Sequence, residues 1–106
     1  MIRYKGLFLV LPKKGLVLRN VNYQEINNIL EYRIGTQVVI VPRLNSDYFI
    51  LFGSIRLIIC RNGSALSHLA ILGREYDIPI FIPEKIPHKI PKSGKLSISE
   101  NTLVFL

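Results

Sequence analysis

Apolar residues occur along this chain in short runs that have the length of β-strands. Glycine, proline and asparagine residues separate many of these runs and predict turns. From Gly94 to Ser99 apolar and polar residues alternate, which is typical of a strand with one buried face. The predicted strands are Ile2–Leu11, Gly15–Val21, Thr36–Val41, Ile55–Cys60, Ile78–Ile82, Gly94–Ser99 and Leu103–Leu106.

Two segments have the spacing of a helix instead. Within Tyr23–Tyr32, the apolar residues Ile26, Ile29 and Leu30 share one side at helical spacing. A second helical pattern follows Gly63 and ends at Asp77, because the residue before Pro79 is excluded from helical geometry. On that second helix, one stripe is predicted to face the sheet: Leu69, Leu72, Gly73 and Tyr76.

His68 stands at the amino end of the second predicted helix and should be exposed there. The first turn of a helix carries unpaired N–H groups and a partial positive charge, so it receives anions readily. A histidine ring nitrogen in that place can act as a nucleophile toward phosphorus. The ordinary alternative for a lone histidine is a capping or surface role. The other histidine, His88, has no motif around it and is predicted to be a surface residue.

Length and composition fit one globular domain, residues 1–106. The hydrophobic content of 49% argues against disorder. No apolar run approaches the ~20 residues of a membrane span, and no signal-peptide cleavage site follows the first run. The single cysteine, Cys60, cannot form an internal disulfide, so we expect a cytoplasmic protein. One cysteine and two separated histidines argue against a metal site, and no glycine-rich nucleotide loop is found.

The formal charge of +7 raises nucleic-acid binding as a competing hypothesis. The fourteen lysines and arginines are scattered along the chain, however, without a basic helix or an aromatic and basic RNA-binding motif. We therefore interpret the charge as a solvated surface that also attracts anionic substrates or an acidic partner.

A dense group of residues surrounds the histidine: Gly63-Ser64-Ala65-Leu66-Ser67-His68-Leu69-Ala70-Ile71, then Arg74-Glu75 and Ile78-Pro79. This group resembles the phosphohistidine signature of the swivelling (mobile) domains of phosphoenolpyruvate (PEP)-utilising enzymes. Pyruvate phosphate dikinase, PEP synthase and the rifampicin phosphotransferases belong to that family. The likeness is dense over residues 61–82. It implies an α/β fold, a single swivelling β/β/α domain, with the histidine loop and helix at residues 61–77.

The resemblance also implies a function. In that family the signature histidine is phosphorylated and carries the phosphoryl group between two distant active sites, and this role maps onto His68. Gly63, Ser64 and Ser67 would bind or support the phosphate, although Ser67 is more readily explained as the cap of the helix. Arg61 is close enough in sequence to reach an anion on the histidine, and is as readily explained as a solvated loop arginine.

Two further residues of the signature lie late in the helix. Glu75 is seven residues after His68, roughly 10 Å along the axis, so it cannot orient the imidazole directly. Arg74 points away from the histidine by the same geometry. We assign Arg74 and Glu75 structural or docking roles.

A phosphotransferase component of this size needs partner subunits. The resemblance implies an ATP-grasp or PEP/pyruvate-binding subunit that phosphorylates the histidine, with ATP or PEP and Mg²⁺ bound on the partner. The rival hypothesis is a non-catalytic interaction or regulatory module. It is motivated by three departures from the family pattern, because Leu44 and Ser46 stand in place of a Thr-x-Pro loop and Ser64 replaces a glycine.

Overall fold

The fold is known from a computed structural model, which describes residues 2–12, 16–85, 93–99 and 101–105. These residues form seven strands, one α-helix and two short 3₁₀ segments. We refer to Ile29–Glu31 as the 3₁₀ turn and to Ser46–Leu51 as the 3₁₀ helix. The strands and the α-helix are β1 (Ile2–Val10), β2 (Val17–Glu25), β3 (Val38–Arg43), β4 (Leu57–Asn62), α1 (His68–Tyr76), β5 (Ile80–Pro83), β6 (Ser93–Ile98) and β7 (Thr102–Phe105).

The seven strands close into a barrel in the order β1-β5-β4-β3-β2-β6-β7, and β7 pairs again with β1. Strands β2, β3, β4 and β5 are parallel neighbours, and the remaining pairs are antiparallel. Because the four parallel strands point the same way, their last residues lie at one rim of the barrel. We call this rim the carboxyl edge; its strand ends are Glu25, Arg43, Asn62 and Pro83.

The predicted α/β fold class, a swivelling β/β/α domain, is wrong. The described residues form a closed seven-stranded barrel, and their α-helical content is the nine residues of α1. The prediction extended to the whole domain the β-α-β order that is found only in the segment β4, α1 and β5 of the described residues. Elsewhere the parallel strands are connected through 3₁₀ segments, and antiparallel strands complete the barrel.

Most predicted strands are found within a few residues of their expected positions, but the first predicted helix is wrong. The range Tyr23–Tyr32 continues β2 as far as Glu25 and then forms only the 3₁₀ turn. Pairing with β3 and β6 holds β2 extended. The side chain of Gln24 then bonds the backbone beyond the turn, accepting from the Arg33 N–H at 2.9 Å. Tertiary pairing therefore overrides the local helical spacing in this segment.

Two apolar clusters lie on the two sides of the parallel strands. Alternation along β3 sends Val38 and Ile40 into the barrel and Val39 and Val41 toward its outer face. Since both of their faces are covered, β3, β4 and β5 are apolar over most of their length. The inner cluster comprises Phe8, Leu18, Val21, Tyr23, Val38, Ile40, Leu57, Ile59, Phe81, Leu96, Ile98, Leu103 and Phe105.

The outer cluster joins the outside of the barrel to α1 and the 3₁₀ helix. Its members are Val10, Ile26, Val39, Val41, Tyr48, Leu51, Ile55, Ile58, Cys60, Leu69, Ala70, Ile78 and Ile80. This layer fixes α1 on the barrel wall, so that the helix begins at the carboxyl edge. In the part of the chain that the structure describes, no helix has the length and apolar character needed to cross a membrane.

Candidate functional site

The candidate site is the loop that leaves β4 at the carboxyl edge and begins α1. Strand β4 ends at Asn62, and the loop 63–67 leads directly into the helix, whose first residue is His68. The His68 side chain is exposed. The imidazole therefore lies where the sequence pattern placed it, at the solvent-facing start of a helix. Its chemical role stays a prediction.

Two serines shape this loop. The hydroxyl of Ser64 accepts a hydrogen bond from the Leu66 N–H at 3.1 Å, and the Ser64 carbonyl accepts one from the Ser67 N–H at 3.0 Å. Ser67 is the N-cap of α1, since its hydroxyl accepts from the Ala70 N–H at 3.2 Å. Both serines thus hold the loop and the helix start in place. The geometry favours the capping role for Ser67 over direct contact with a phosphate.

The first turn of α1 keeps free hydrogen-bond donors. The third and fourth N–H groups of the turn, on Ala70 and Ile71, are bonded to the hydroxyl and carbonyl of Ser67. Among the described residues, nothing accepts a hydrogen bond from the N–H of His68 or of Leu69. These two donors and the positive end of the helix dipole lie beside the imidazole, an arrangement suited to an anion.

Helix α1 packs on the barrel through Leu69, Ala70 and Gly73, which are buried. A β-carbon on Gly73 would lie 3.1 Å from the Ile78 carbonyl oxygen, so this glycine permits a close approach of the helix at a position on the predicted stripe. The same predicted stripe fails at Tyr76, which is 56% exposed. Its ring instead packs edge-on against an aromatic ring of the 3₁₀ helix, that of Phe49, with centroids 5.2 Å apart.

The arginine of the signature, Arg74, forms a hydrogen bond within the chain. The Arg74 guanidinium reaches back along α1 and donates a hydrogen bond to the Ala65 carbonyl at 2.7 Å. It therefore ties the last turn of the helix to the histidine loop. Glu75 is exposed, and no hydrogen bond or ion pair involves its side chain within the described ranges.

Arg61 forms an ion pair with a carboxylate, and this pairing was not predicted from the sequence. At the carboxyl edge, its guanidinium forms an ion pair with Glu25, the last residue of β2. Alternation along β4 places Arg61 opposite Cys60, and therefore on the barrel side rather than on the α1 side. The carboxylate of Glu25 therefore neutralises the charge of Arg61 in the absence of a ligand. The partner lies 36 residues away in sequence, so only the fold reveals the pair.

The chain after β3 runs directly beside the histidine loop. A β-carbon on Gly63 would lie 2.9 Å from Cδ1 of Leu44, so glycine is needed there for the close contact. Leu44 thus packs against the loop where the family resemblance has a threonine, and it offers no hydroxyl. One residue earlier, Arg43 pairs in register with Asn62 and is exposed. Sequence reasoning missed Arg43, because its place beside the loop depends on strand register.

Cys60 lies just below the loop but is not a nucleophile candidate. The residue is fully buried, and burial raises the pKa of its thiol to about 11, an effect that a backbone hydrogen bond of Asn62 lowers only in part. A thiol with this pKa remains protonated near neutral pH and is a poor nucleophile. The described residues contain no group of three or more His, Cys, Asp or Glu that could hold a metal ion.

Two surface depressions lie apart from the histidine loop. One, of about 330 Å³, is lined by Asn22, Tyr23, Arg33, Ile34, Gly35 and Thr36. The other, of about 220 Å³, is lined by Arg3, Tyr4, Lys5, Glu84 and Lys85. Neither includes a predicted site residue. His88 lies outside the described residues.

Comparison with known proteins gives a local and a global result. Locally, residues 35–83 match the family model of the PEP-utilising enzyme, mobile domain, over somewhat less than half of the chain. Globally, the fold is similar to a chain in the crystal structure of Thermococcus kodakaraensis aconitase X in its holo-form. The TM-score is 0.67 at 13% identity, and the similarity covers 100% of this chain and 99% of that one.

A UPF0107 protein solved by NMR is similar to the same extent. Its TM-score is 0.68 at 7% identity, with 99% of each chain covered. No curated protein sequence matches the chain. At these identities the two structures inform on fold alone.

These findings correct the predicted family identification. Over its whole length the fold is similar to chains that include the aconitase X chain and the UPF0107 protein, and it is a seven-stranded barrel. The identification as a phosphohistidine swivelling domain of the pyruvate phosphate dikinase, PEP synthase or rifampicin phosphotransferase type is therefore wrong. The sequence likeness to the mobile-domain model remains, confined to the segment from Gly35 to Pro83 that contains the histidine loop.

Proposed function

We propose that this chain is a phosphoryl carrier that accepts a phosphoryl group on the imidazole of His68 and passes it to an acceptor. The observation that carries the proposal is the exposed imidazole at the start of α1, where the N–H groups of His68 and Leu69 have no acceptor among the described residues. The local match to the PEP-utilising mobile-domain model, which spans this loop, adds support. The barrel fold is not an argument for it or against it.

The chemistry needs little from the protein beyond placement. A neutral ring nitrogen attacks phosphorus, the bond from phosphorus to the donor oxygen breaks, and the donor leaves with the electron pair of that bond. The N–H groups of His68 and Leu69 would bind the phosphoryl oxygens as negative charge develops on them. Ser67 and Arg74 contribute indirectly, because they fix the helix start and the loop.

The donor belongs to a separate subunit in this proposal. ATP or PEP with Mg²⁺ would bind on an ATP-grasp or PEP-binding partner, and the phosphoryl group would return to a second site. The net charge of +7 would favour docking to an anionic donor site. On its own, the chain would therefore be inactive toward ATP or PEP.

The experiment uses phosphoramidate, a small phosphoryl donor that needs no partner enzyme. A His88→Asn background leaves one histidine, and ³¹P NMR and mass spectrometry quantify phosphohistidine in folded and urea-unfolded protein. We expect the folded chain to react about 2- to 5-fold faster than the unfolded chain, as a helix terminus stabilises charge by about 0.3–1 kcal/mol. The amide signals of His68 and Leu69 should shift on phosphorylation.

His68→Asn in the same background is the matched control and should take up no acid-labile phosphate. Label from ³²P-PEP or γ-³²P-ATP in an extract of the source cells should likewise enter the wild type and not this variant. Equal reactivity of the folded and unfolded chains, with unmoved His68 and Leu69 amides, would contradict the proposal.

A second candidate function is a non-catalytic interaction module. Two observations favour it: Leu44 lies against the loop without a hydroxyl to offer, and Arg61 is already paired with Glu25. The same experiment separates the two candidates. A module would bind its partner equally well with His68→Asn, whereas a carrier would lose the phosphoryl transfer.

A further inference from the structure

Three arginines lie near the histidine loop, and they differ in the partners that their guanidinium groups already have. Arg61 is paired with Glu25, and Arg74 donates to the Ala65 carbonyl. Arg43 is exposed, and within residues 2–12, 16–85, 93–99 and 101–105 no carboxylate or carbonyl engages its guanidinium. Among these three arginines, Arg43 is thus the one whose guanidinium has no partner in the part of the chain that the structure describes.

The strand register sets the direction of Arg43. In β3 it shares its side with Val39 and Val41, which belong to the outer cluster beneath α1. Its register partner in β4 is Asn62, the residue immediately before the loop. By the same alternation Asn62 shares the outer side with Cys60. Arg43 therefore projects on the side of the barrel where α1 lies, rather than into the barrel mouth as Arg61 does.

The chain beyond Arg43 is held close to the loop. The Asn45 N–H donates to the Arg43 carbonyl at 3.0 Å and forms a tight turn. Between these two residues, Leu44 packs on Gly63. Rigid placement of the backbone beside the loop limits the positions that the Arg43 side chain can occupy. The first turn of α1, with the N–H groups of His68 and Leu69, begins where this loop ends.

We propose that Arg43 binds the phosphoryl group carried by His68 and positions it over the start of α1. This inference rests on the proposed carrier function. A guanidinium presents parallel N–H donors that match two phosphoryl oxygens, which suits it to this task better than a point charge. Arg43 would supply the contact that Leu44 cannot make, and the phosphoryl group would be held between a cation and the helix terminus.

The test compares Arg43→Gln and Arg43→Lys with Arg56→Gln, all in the His88→Asn background. Arg56 is exposed but precedes β4, so it lies at the opposite rim and serves as a charge-matched control. After phosphorylation with phosphoramidate, the ³¹P shift of the phosphohistidine is followed against pH. Thermal unfolding of each variant checks that the barrel is intact.

A cation that binds the phosphoryl dianion lowers the pKa of the equilibrium between the monoanion and the dianion, which is the midpoint of the pH titration. We expect this midpoint to rise by about 0.5 unit in Arg43→Gln, less than the 1–3 units known for close charges because the site is exposed. The KM for phosphoramidate should rise roughly 3- to 10-fold, the range expected for a screened charge-assisted hydrogen bond. Arg43→Lys should fall between Arg43→Gln and the wild type, and Arg56→Gln should match the wild type.

The outcomes separate this inference from the carrier proposal. Phosphohistidine at residue 68 with the same midpoint and KM in Arg43→Gln as in Arg56→Gln overturns the role of Arg43 and leaves the carrier standing. Absence of phosphohistidine at residue 68 in every variant overturns the carrier, and the role of Arg43 with it.

Discussion

Tyr23 places a polar group inside the barrel. Its side chain is 6% exposed, belongs to the inner cluster, and has its ring 5.2 Å from that of Phe105. Within the described part of the chain the hydroxyl has no hydrogen-bond partner. Burial also raises the pKa of Tyr23 to about 12. A buried hydroxyl without a partner costs stability, and an ionised one would cost more.

Tyr23→Phe is therefore expected to stabilise the protein at neutral pH, by about 1 kcal/mol in the free energy of unfolding. Tyr32→Phe is the matched control, because the Tyr32 hydroxyl donates to the Thr36 carbonyl at 2.8 Å. This second change should cost about 1 kcal/mol. Urea unfolding of both variants measures the difference. A loss of stability in Tyr23→Phe equal to that in Tyr32→Phe would contradict the prediction.

The same residue predicts a pH dependence. The folded state keeps Tyr23 neutral up to about pH 12, whereas the unfolded state ionises from its ordinary value of 10.0. Between these values the unfolded state has lost a proton that the folded state keeps, so stability falls as pH rises, by up to about 1.4 kcal/mol per pH unit. The wild type should therefore lose stability relative to Tyr23→Phe above pH 10, and this difference should be constant below it.

Glycine in β1 marks a close contact between two elements. A β-carbon on Gly6 would lie 2.1 Å from the Ile82 carbonyl oxygen and 2.8 Å from Cα of Pro83. Both atoms belong to the backbone of β5, and Pro83 pairs with Gly6 in register. A side chain can be accommodated only if β1 moves away from β5. Because the barrel is closed, such a movement is transmitted to the neighbouring strands.

Gly6→Ala should accordingly destabilise the protein by about 1–3 kcal/mol or more, the usual cost of overpacking. Gly53→Ala is the control, since a β-carbon there meets nothing within 4 Å, and this change should stay within about 0.5 kcal/mol of the wild type. Thermal and urea unfolding measure both. If Gly6→Ala proves as stable as Gly53→Ala, the strands do not approach each other as closely as described.

Elements with local signals could be predicted from the sequence, and those that depend on tertiary pairing could not. The loop and helix after β4 contain their own signals: a serine cap at Ser67, a stop before Pro79, and a left-handed Asp77 with φ of 57° as C-cap. The range Tyr23–Tyr32 has helical spacing, but pairing with β3 keeps it extended as far as Glu25, and the rest forms only the 3₁₀ turn. The exposed position of Tyr76 was missed for a similar reason, because its aromatic neighbours are Phe49 of the 3₁₀ helix and Phe52, the residue after it.

The candidate site divides in the same way. His68, Ser64 and Ser67 follow one another in sequence, so their arrangement around a helix start could be predicted. The Arg61–Glu25 ion pair and the place of Arg43 beside Asn62 depend on which strands are neighbours. Strand order cannot be read from the apolar pattern of one sequence, since β3 and β4 are each apolar on both faces for most of their length and would fit several neighbours.

At the scale of the whole molecule, closure is what distinguishes this fold from the predicted one. The segment from β3 to β5 would fit an open sheet as well as a barrel, and the apolar pattern of those strands is the same in both. Closure is decided by β1, which pairs with β5 on one side and with β7 on the other. The signature lies entirely outside β1, so a motif-based prediction had no access to the decisive element.

This dependence predicts that residues 35–83, the part that matches the mobile-domain model, do not fold alone. Eight of the thirteen inner-cluster residues come from outside that segment: Phe8, Leu18, Val21, Tyr23, Leu96, Ile98, Leu103 and Phe105. The isolated fragment would keep three parallel strands with two unpaired edges and one uncovered face, and it is near the size at which single domains cease to be stable. Expressed alone, it should show no cooperative urea transition and poor amide dispersion in NMR spectra, whereas the full chain shows both. A cooperative transition of the fragment would mean that the outer cluster suffices for folding, and that the barrel is an addition to an independent β-α-β unit.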